Sequence, residues 1–200
     1  AATIVLLGFG WDDIEIAYIG PGYEKYEGKS VAKIAKEMGK SPLDAYLDLC
    51  EMSNFKGRVN MGPYSTPEIV SELSKDEISL YMTDAWVEDY GVQNPAIYDC
   101  FPKFLKYSLN GTGDTMPKNN KKMSGGVADR FSIKERGYLK AGYYADITIF
   151  NEEKLRNGIE DRESSFGIET VYINGKKVLD NDLLDMELLK SSGRAIRDLK

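Results

Sequence analysis

The chain has 200 residues, 42% apolar and 29% charged, with 26 Lys and Arg against 32 Asp and Glu for a net charge of −6. That is ordinary for a globular protein of one domain, or one and a fraction, and long enough to bury a core. The acidic balance argues against nucleic-acid binding, which needs clustered Lys and Arg, and no apolar run reaches membrane-spanning length.

No histidine occurs anywhere in the chain. Histidine is the commonest metal ligand and the side chain that titrates near neutral pH, so a hydrolase working through histidine-bound metal is not complete within these residues. Cys50 and Cys100 lack metal-ligand spacing and are expected to be buried free thiols, which suits a reducing, cytoplasmic location. The adjacent basic pairs Lys121-Lys122 and Lys176-Lys177 read as solvated loops. The start lacks the charged n-region and small-residue cleavage site of a secretory leader.

From Ala2 to Gly10 the chain is mostly apolar, with Ile4 to Leu7 reading as a buried strand, and this suggests a start inside a larger fold. Ile14, Ile16 and Tyr18 then alternate against polar residues, predicting a second strand. Gly20-Pro21-Gly22 is a loop. Val31, Ile34, Ala35 and Met38 recur at helical spacing, with Gly39 as the stop. Ser41-Pro42-Leu43-Asp44 opens another helix through a cap and a first-turn proline, and its expected buried stripe is Leu43, Tyr46, Leu47 and Cys50.

Arg58 to Tyr64 predicts a short strand, and Ser65-Thr66-Pro67-Glu68 starts a helix with Ile69, Val70 and Leu73 inward. A further strand is expected over Ile78 to Thr83, stopping at Asp84. Strand, helix and strand within about thirty residues imply a βαβ unit with parallel strands. In such units the chemistry lies at the carboxyl ends of the strands, where Asp84 sits. Residues 85–94 read as a loop and Pro95 to Leu109 as a helix. Asn110 to Lys122 carries no pattern and reads as the least ordered stretch.

Gly126 to Phe131 allows a short helix, and Gly137 and Gly142 mark two tight turns. Asp146 to Phe150 alternates as a strand with Ile147 and Ile149 on its buried face. Asn174-Gly175 lies between two β-rich runs from Glu169 to Asp180, the strongest short hairpin signal. Leu183 to Leu189 is expected to be a small helix or turn, followed by a fraying polar tail.

These motifs, in order, resemble the N-acyl-D-amino-acid deacylases (D-aminoacylases) of the amidohydrolase superfamily, over nearly all of residues 11–180. The matches are Glu27-Gly28-Lys29, Thr83-Asp84-Ala85, Asn94-Pro95-Ala96, Phe101-Pro102-Lys103-Phe104-Leu105 and Lys122-Met123-Ser124. The stretch Arg136-Gly137-Tyr138-Leu139 to Phe150, which resembles the return from barrel to sandwich in that superfamily, and Gly167 to Gly175 complete the set. The resemblance implies an α/β fold: the C-terminal fragment of a (β/α)8 amidohydrolase barrel with an inserted helical segment, followed by part of a small β-sandwich. It divides the chain into residues 1–134, 135–182 and a tail of 183–200.

It also implies hydrolysis of a non-peptide C–N amide bond in a small-molecule substrate, with Asp84 as the catalytic carboxylate that takes a proton from metal-bound water and returns it to the leaving nitrogen. The family's zinc or similar divalent metal would be held by residues ahead of residue 1, so no cofactor is expected in this chain and the chain alone would be inactive. The chain departs from the family pattern at several positions, and Thr83-Asp84-Ala85 stands where it has Ser-Asp-Gly. Asn94 stands where it has histidine, and Ala96 stands where it has the arginine that clamps the substrate carboxylate. The alternatives are a non-catalytic structural or interaction module, from a degenerate or split amidohydrolase, and an unrelated α/β binding protein. A partial barrel leaves sheet edges open, so self-association or a separate N-terminal half is expected, with no nucleic-acid or membrane partner.

Overall fold

The computed structural model describes residues 8–159 and 165–196, which form two compact units. The expected Ile4 to Leu7 strand lies outside the described residues.

Among the described residues, the first unit comprises 8–67 and 85–94. Its two-stranded sheet pairs β1 (Ile14–Tyr18) antiparallel with β2 (Arg58–Met61), Ile14 opposite Met61 and Ile16 opposite Val59. Two helices follow β1, α1 (Val31–Met38) and α2 (Pro42–Met52). Both start where the sequence says: Ser30 Oγ accepts from Lys33 N and Ser41 Oγ from Asp44 N, satisfying first-turn donors. Gly39 closes α1 at φ +65°, a left-handed stop that costs a glycine nothing. Ile14, Ile16, Ile19, Val31, Ile34 and Leu49 form the core.

The α2 stripe differs from expectation. Ala45 and Leu49 are its buried residues, whereas Leu43 and Leu47 are exposed. Ala45, Leu49 and the core-packed Met52 repeat at i, i+4, i+7, and the two leucines fall on the other side of that face. Cys50 and Cys100 are free but only half-buried, since neither lies on the innermost line of its helix. Residues 85–94 run along β1 as a loop: Val92 N donates to Ala17 O at 2.7 Å, and the Arg58 guanidinium donates to the carbonyls of Tyr90 and Val92.

Among the described residues, the second unit comprises 68–84, 95–159 and 165–196. It contains α3 (Pro67–Lys75), α4 (Ala96–Leu109), α5 (Met116–Met123) and α6 (Gly125–Arg130). Its antiparallel sheet runs β3 (Ile147–Phe150), β4 (Ile168–Ile173), β5 (Lys176–Asp180) and β6 (Leu183–Leu184). Two short helices complete it, α7 (Glu152–Asn157) and α8 (Met186–Ser192). The β4–β5 hairpin turns at Asn174 and Gly175, with φ +49° and +80°, and β3 joins the same sheet as expected.

Several elements differ from expectation. First, residues 78–83 form no strand. An extended segment becomes a strand only beside a neighbour whose N–H and C=O groups complete a ladder, and among the described residues none flanks it. No βαβ unit therefore forms there, and β2 pairs with β1 instead. Second, Ile69 and Leu73 of α3 are exposed, and the residue that α3 buries is Ser74. Third, Ile149 is 47% exposed, while Phe150 packs on the unit's core. A register shift between Ile149 and Phe150 breaks the two-residue alternation at that point. Fourth, Asn110 to Lys122 is not loose. It contains most of α5, and Lys122 is buried rather than solvated. Lys176 and Lys177 are exposed as expected but lie in a strand. The chain is also ordered into α8 as far as Ser192, where a fraying tail was expected.

Leu155 on α7 is fully buried and, with Leu105 and Phe166, makes the second unit's small core. A core of three large side chains has little to redistribute when one is lost. Leu155→Ala should cost about 2–5 kcal/mol, read as a lower urea midpoint, with the β4–β5 hairpin reporting the same transition.

Candidate functional site

The segment that carries the candidate carboxylate runs from the end of α3 to Asp84. Side chains hold it in place of a strand ladder. Lys122 Nζ donates to Ser74 O at 2.6 Å and to Asp114 Oδ2 at 2.9 Å. Asn119, wholly inaccessible to solvent, donates through Nδ2 to Phe104 O at 3.0 Å and accepts from the Tyr81 hydroxyl at 2.7 Å. The Tyr81 ring lies 4.2 Å from that of Phe104, and Tyr81 N donates to Lys122 O. Every buried polar atom in this cluster has a partner, as a low-dielectric interior demands.

Burial alone would raise the Asp114 carboxyl. Hydrogen bonds from Lys122 Nζ and the Thr115 amide, with the charges of Lys122 and Lys118, hold it below the ordinary carboxylate value instead. Burial pushes the Tyr81 hydroxyl up, so it stays protonated and remains a donor.

Asp84 itself is exposed and has φ +46°, a left-handed conformation uncommon outside glycine but tolerated by Asp. Its carboxylate takes part in no hydrogen bond or ion pair among the described residues, so both oxygens are open to a proton or a ligand. Asp84 is not among the residues lining a pocket of about 630 Å³ between α4, α5 and the sheet. That pocket is lined mainly by apolar residues such as Leu105, Met123, Phe150 and Val171.

The other motif residues serve the architecture. Glu27 Oε1 accepts from Ile19 N, Gly28 N donates to Ile16 O, and Lys29 pairs with Glu37, so Glu27-Gly28-Lys29 forms an edge along β1. Lys122 belongs to the buried cluster. At the junction, the Arg136 guanidinium bonds Asp146 and Asn174 Oδ1 and stacks 4.2 Å over the Tyr144 ring. Asp146 Oδ1 accepts from Asn174 N at 2.8 Å. The arginine and aspartate of the junction thus converge with the asparagine of the hairpin.

Sequence reasoning missed the Asp114–Asn119–Lys122 cluster. The signal was Thr115-Met116-Pro117, a capping residue with proline in the first turn, and Asp114, Lys118 and Lys122 at four-residue spacing. Among the described residues no group of three or more His, Cys, Asp or Glu is placed to hold a metal ion. No described helix is long and apolar enough to cross a membrane.

No protein-family profile matches the chain. In fold it is similar to a solved D-aminoacylase with a binuclear metal centre, at a TM-score of 0.72 and 24% identity, over 92% of this chain and 37% of that one. It is also similar to the N-acyl-D-glutamate deacylase of Bordetella bronchiseptica, solved with zinc and a phosphonate mimic of the tetrahedral intermediate. There the TM-score is 0.66 and the identity 20%, over 84% of this chain and 35% of that one. The architecture is therefore one found within part of an amidohydrolase chain. In sequence, the chain is 32% identical over 90 residues to the D-aminoacylase of Alcaligenes xylosoxydans xylosoxydans, covering 42% of this chain and 18% of that protein. It is 33% identical over 64 residues to the N-acyl-D-aspartate deacylase of the same organism, covering 30% and 13%. The chain thus spans less than a fifth of the curated relatives it matches, and within that span it resembles the N-acyl-D-amino-acid deacylases.

Proposed function

We propose that this chain is the C-terminal part of a metal-dependent hydrolase that cleaves the amide C–N bond of N-acyl-D-amino acids, and that Asp84 is its proton-transfer carboxylate. The observation that carries this reading is the D-aminoacylase fold over nine-tenths of the chain, with matching motifs in the same order. On this reading residues 1–134 correspond to the end of a barrel with its helical insertion, and residues 135–182 to strands of a β-sandwich.

Asp84 suits the role because its carboxylate is exposed and unpaired. It takes the proton from the attacking water as the new C–O bond forms at the acyl carbon. It returns that proton to the nitrogen as the C–N bond breaks, releasing a carboxylic acid and a free amine. With no histidine in the chain and no ligand cluster among the described residues, these residues do not fit the family's metal. The metal site then belongs to chain outside these 200 residues, and these residues by themselves turn over nothing.

Ala96 favours a second reading. A side chain without donors cannot grip a substrate carboxylate, so the chain is then a non-catalytic module on an amidohydrolase scaffold. Metal analysis separates the two. The hydrolase reading expects well under one zinc per chain for these residues alone. It expects stoichiometric zinc when they are joined to, or purified with, the chain that precedes them. Zinc in neither preparation would favour the non-catalytic module, and tight stoichiometric zinc on these residues alone would overturn the placing of the metal site elsewhere.

A further inference from the structure

We propose that Tyr81, Asn119 and Cys100 are positioning residues that fix the backbone bearing Asp84; the functional meaning of this rests on Asp84 being the proton-transfer group. A carboxylate that must meet a water and then a leaving nitrogen has to be held to a fraction of an ångström. Strand ends usually supply that rigidity through their ladders, yet residues 78–83 have no strand neighbour among the described residues.

What they have is a set of side-chain anchors. The Tyr81 hydroxyl donates to the buried Asn119 amide, whose other end is pinned to α4 at Phe104 O. One residue further on, Cys100 Sγ donates to Met82 O at 3.2 Å. Burial and the neighbouring Asp99 charge raise the Cys100 thiol, which keeps it a donor at neutral pH. The anchors therefore grip residues 81 and 82, and Asp84 follows two residues later at φ +46°. That conformation is uncommon for a residue with a side chain, and Asp is among those that tolerate it.

The test is amide hydrogen exchange and backbone NMR on the chain carrying Tyr81→Phe, which keeps the ring and removes the hydroxyl. Cys100→Ala, which removes the thiol, and Cys100→Ser, which retains a donor, are compared with it. In Tyr81→Phe and Cys100→Ala, exchange over residues 80–84 should rise about tenfold. The Asp84 Cα and Cβ shifts should move from left-handed values toward coil averages, while the Asn174-Gly175 hairpin stays unchanged. Cys100→Ser should restore both. If Tyr81→Phe fails to fold, the Cys100 pair decides. Unchanged Asp84 shifts and exchange in an otherwise intact Cys100→Ala chain would overturn the proposal. These readouts report geometry alone, so full turnover by an Asp84→Asn enzyme would reject the proton-transfer role without touching them.

Discussion

Replacing Asp84 by Asn should lower kcat for N-acyl-D-amino-acid hydrolysis by about 10²–10⁴-fold, with KM little changed. Asn keeps the size and shape of the side chain but has no oxygen basic enough to take a proton from water. Asp84 makes no hydrogen bond or ion pair among the described residues, so the substitution strands no partner and leaves stability nearly untouched. An effect on kcat without a matching effect on the urea midpoint is the expected signature, since the lost interaction exists only in the transition state. The measurement requires protein that includes the metal-binding chain. There, parallel losses of kcat and stability would instead mark Asp84 as a structural residue.

Lys122→Ala should be strongly destabilising, at about 3–5 kcal/mol. Lys122 and Asp114 are 7% and 8% exposed, so removing the ammonium leaves a carboxylate out of water with only the Thr115 amide and the more distant Lys118 to answer it. Ser74 O loses its closest donor at the same time. The double variant Lys122→Met with Asp114→Asn removes both charges and should recover much of the loss, because isolating one buried charge costs more than deleting the pair.

The pair also sets a pH dependence. The Asp114 carboxyl lies below its unfolded value in the folded chain. Its contribution is therefore fully present above the unfolded value of about 4, and is lost as pH falls through the lower folded value. Urea midpoints of the wild type and of Asp114→Asn should accordingly converge in acid and separate toward neutrality.

Local chemistry was legible wherever one residue type answers one backbone need. Ser41 with Pro42, Gly39 after α1, and Asn174 with Gly175 each did what their types predict, because caps, left-handed stops and tight turns depend on few neighbours. The resemblance to D-aminoacylases was also legible, and the curated relatives and solved structures similar to the chain agree with it. Burial was less so. Leu43, Leu47, Ile69 and Leu73 read as inward from periodicity, but a helix places several candidate faces within one turn of each other. Which of them is buried depends on the element packed against it.

Ile78 to Thr83 carried the β propensity of a strand, but a strand exists only where a neighbour completes the ladder. The α5 region failed in the opposite sense. Its Lys and Asn content reads as solvated, and only the folded chain brings Asp114, Ser74 and Phe104 close enough to satisfy those groups. Asp84 was read as the end of a strand, and it instead follows a segment with no strand partner among the described residues. The cluster that holds the segment was not legible, since it joins residues more than thirty positions apart.

The central claim is tested most directly by following the release of free amino acid from N-acetyl-D- and N-acetyl-L-amino acids with zinc-replete protein that includes the preceding chain. Release is expected from the D substrates, with little from the L substrates and loss of that release in the Asp84→Asn form. Metal-replete, folded protein that hydrolyses neither enantiomer, or that works equally well with Asn in place of Asp84, would contradict it.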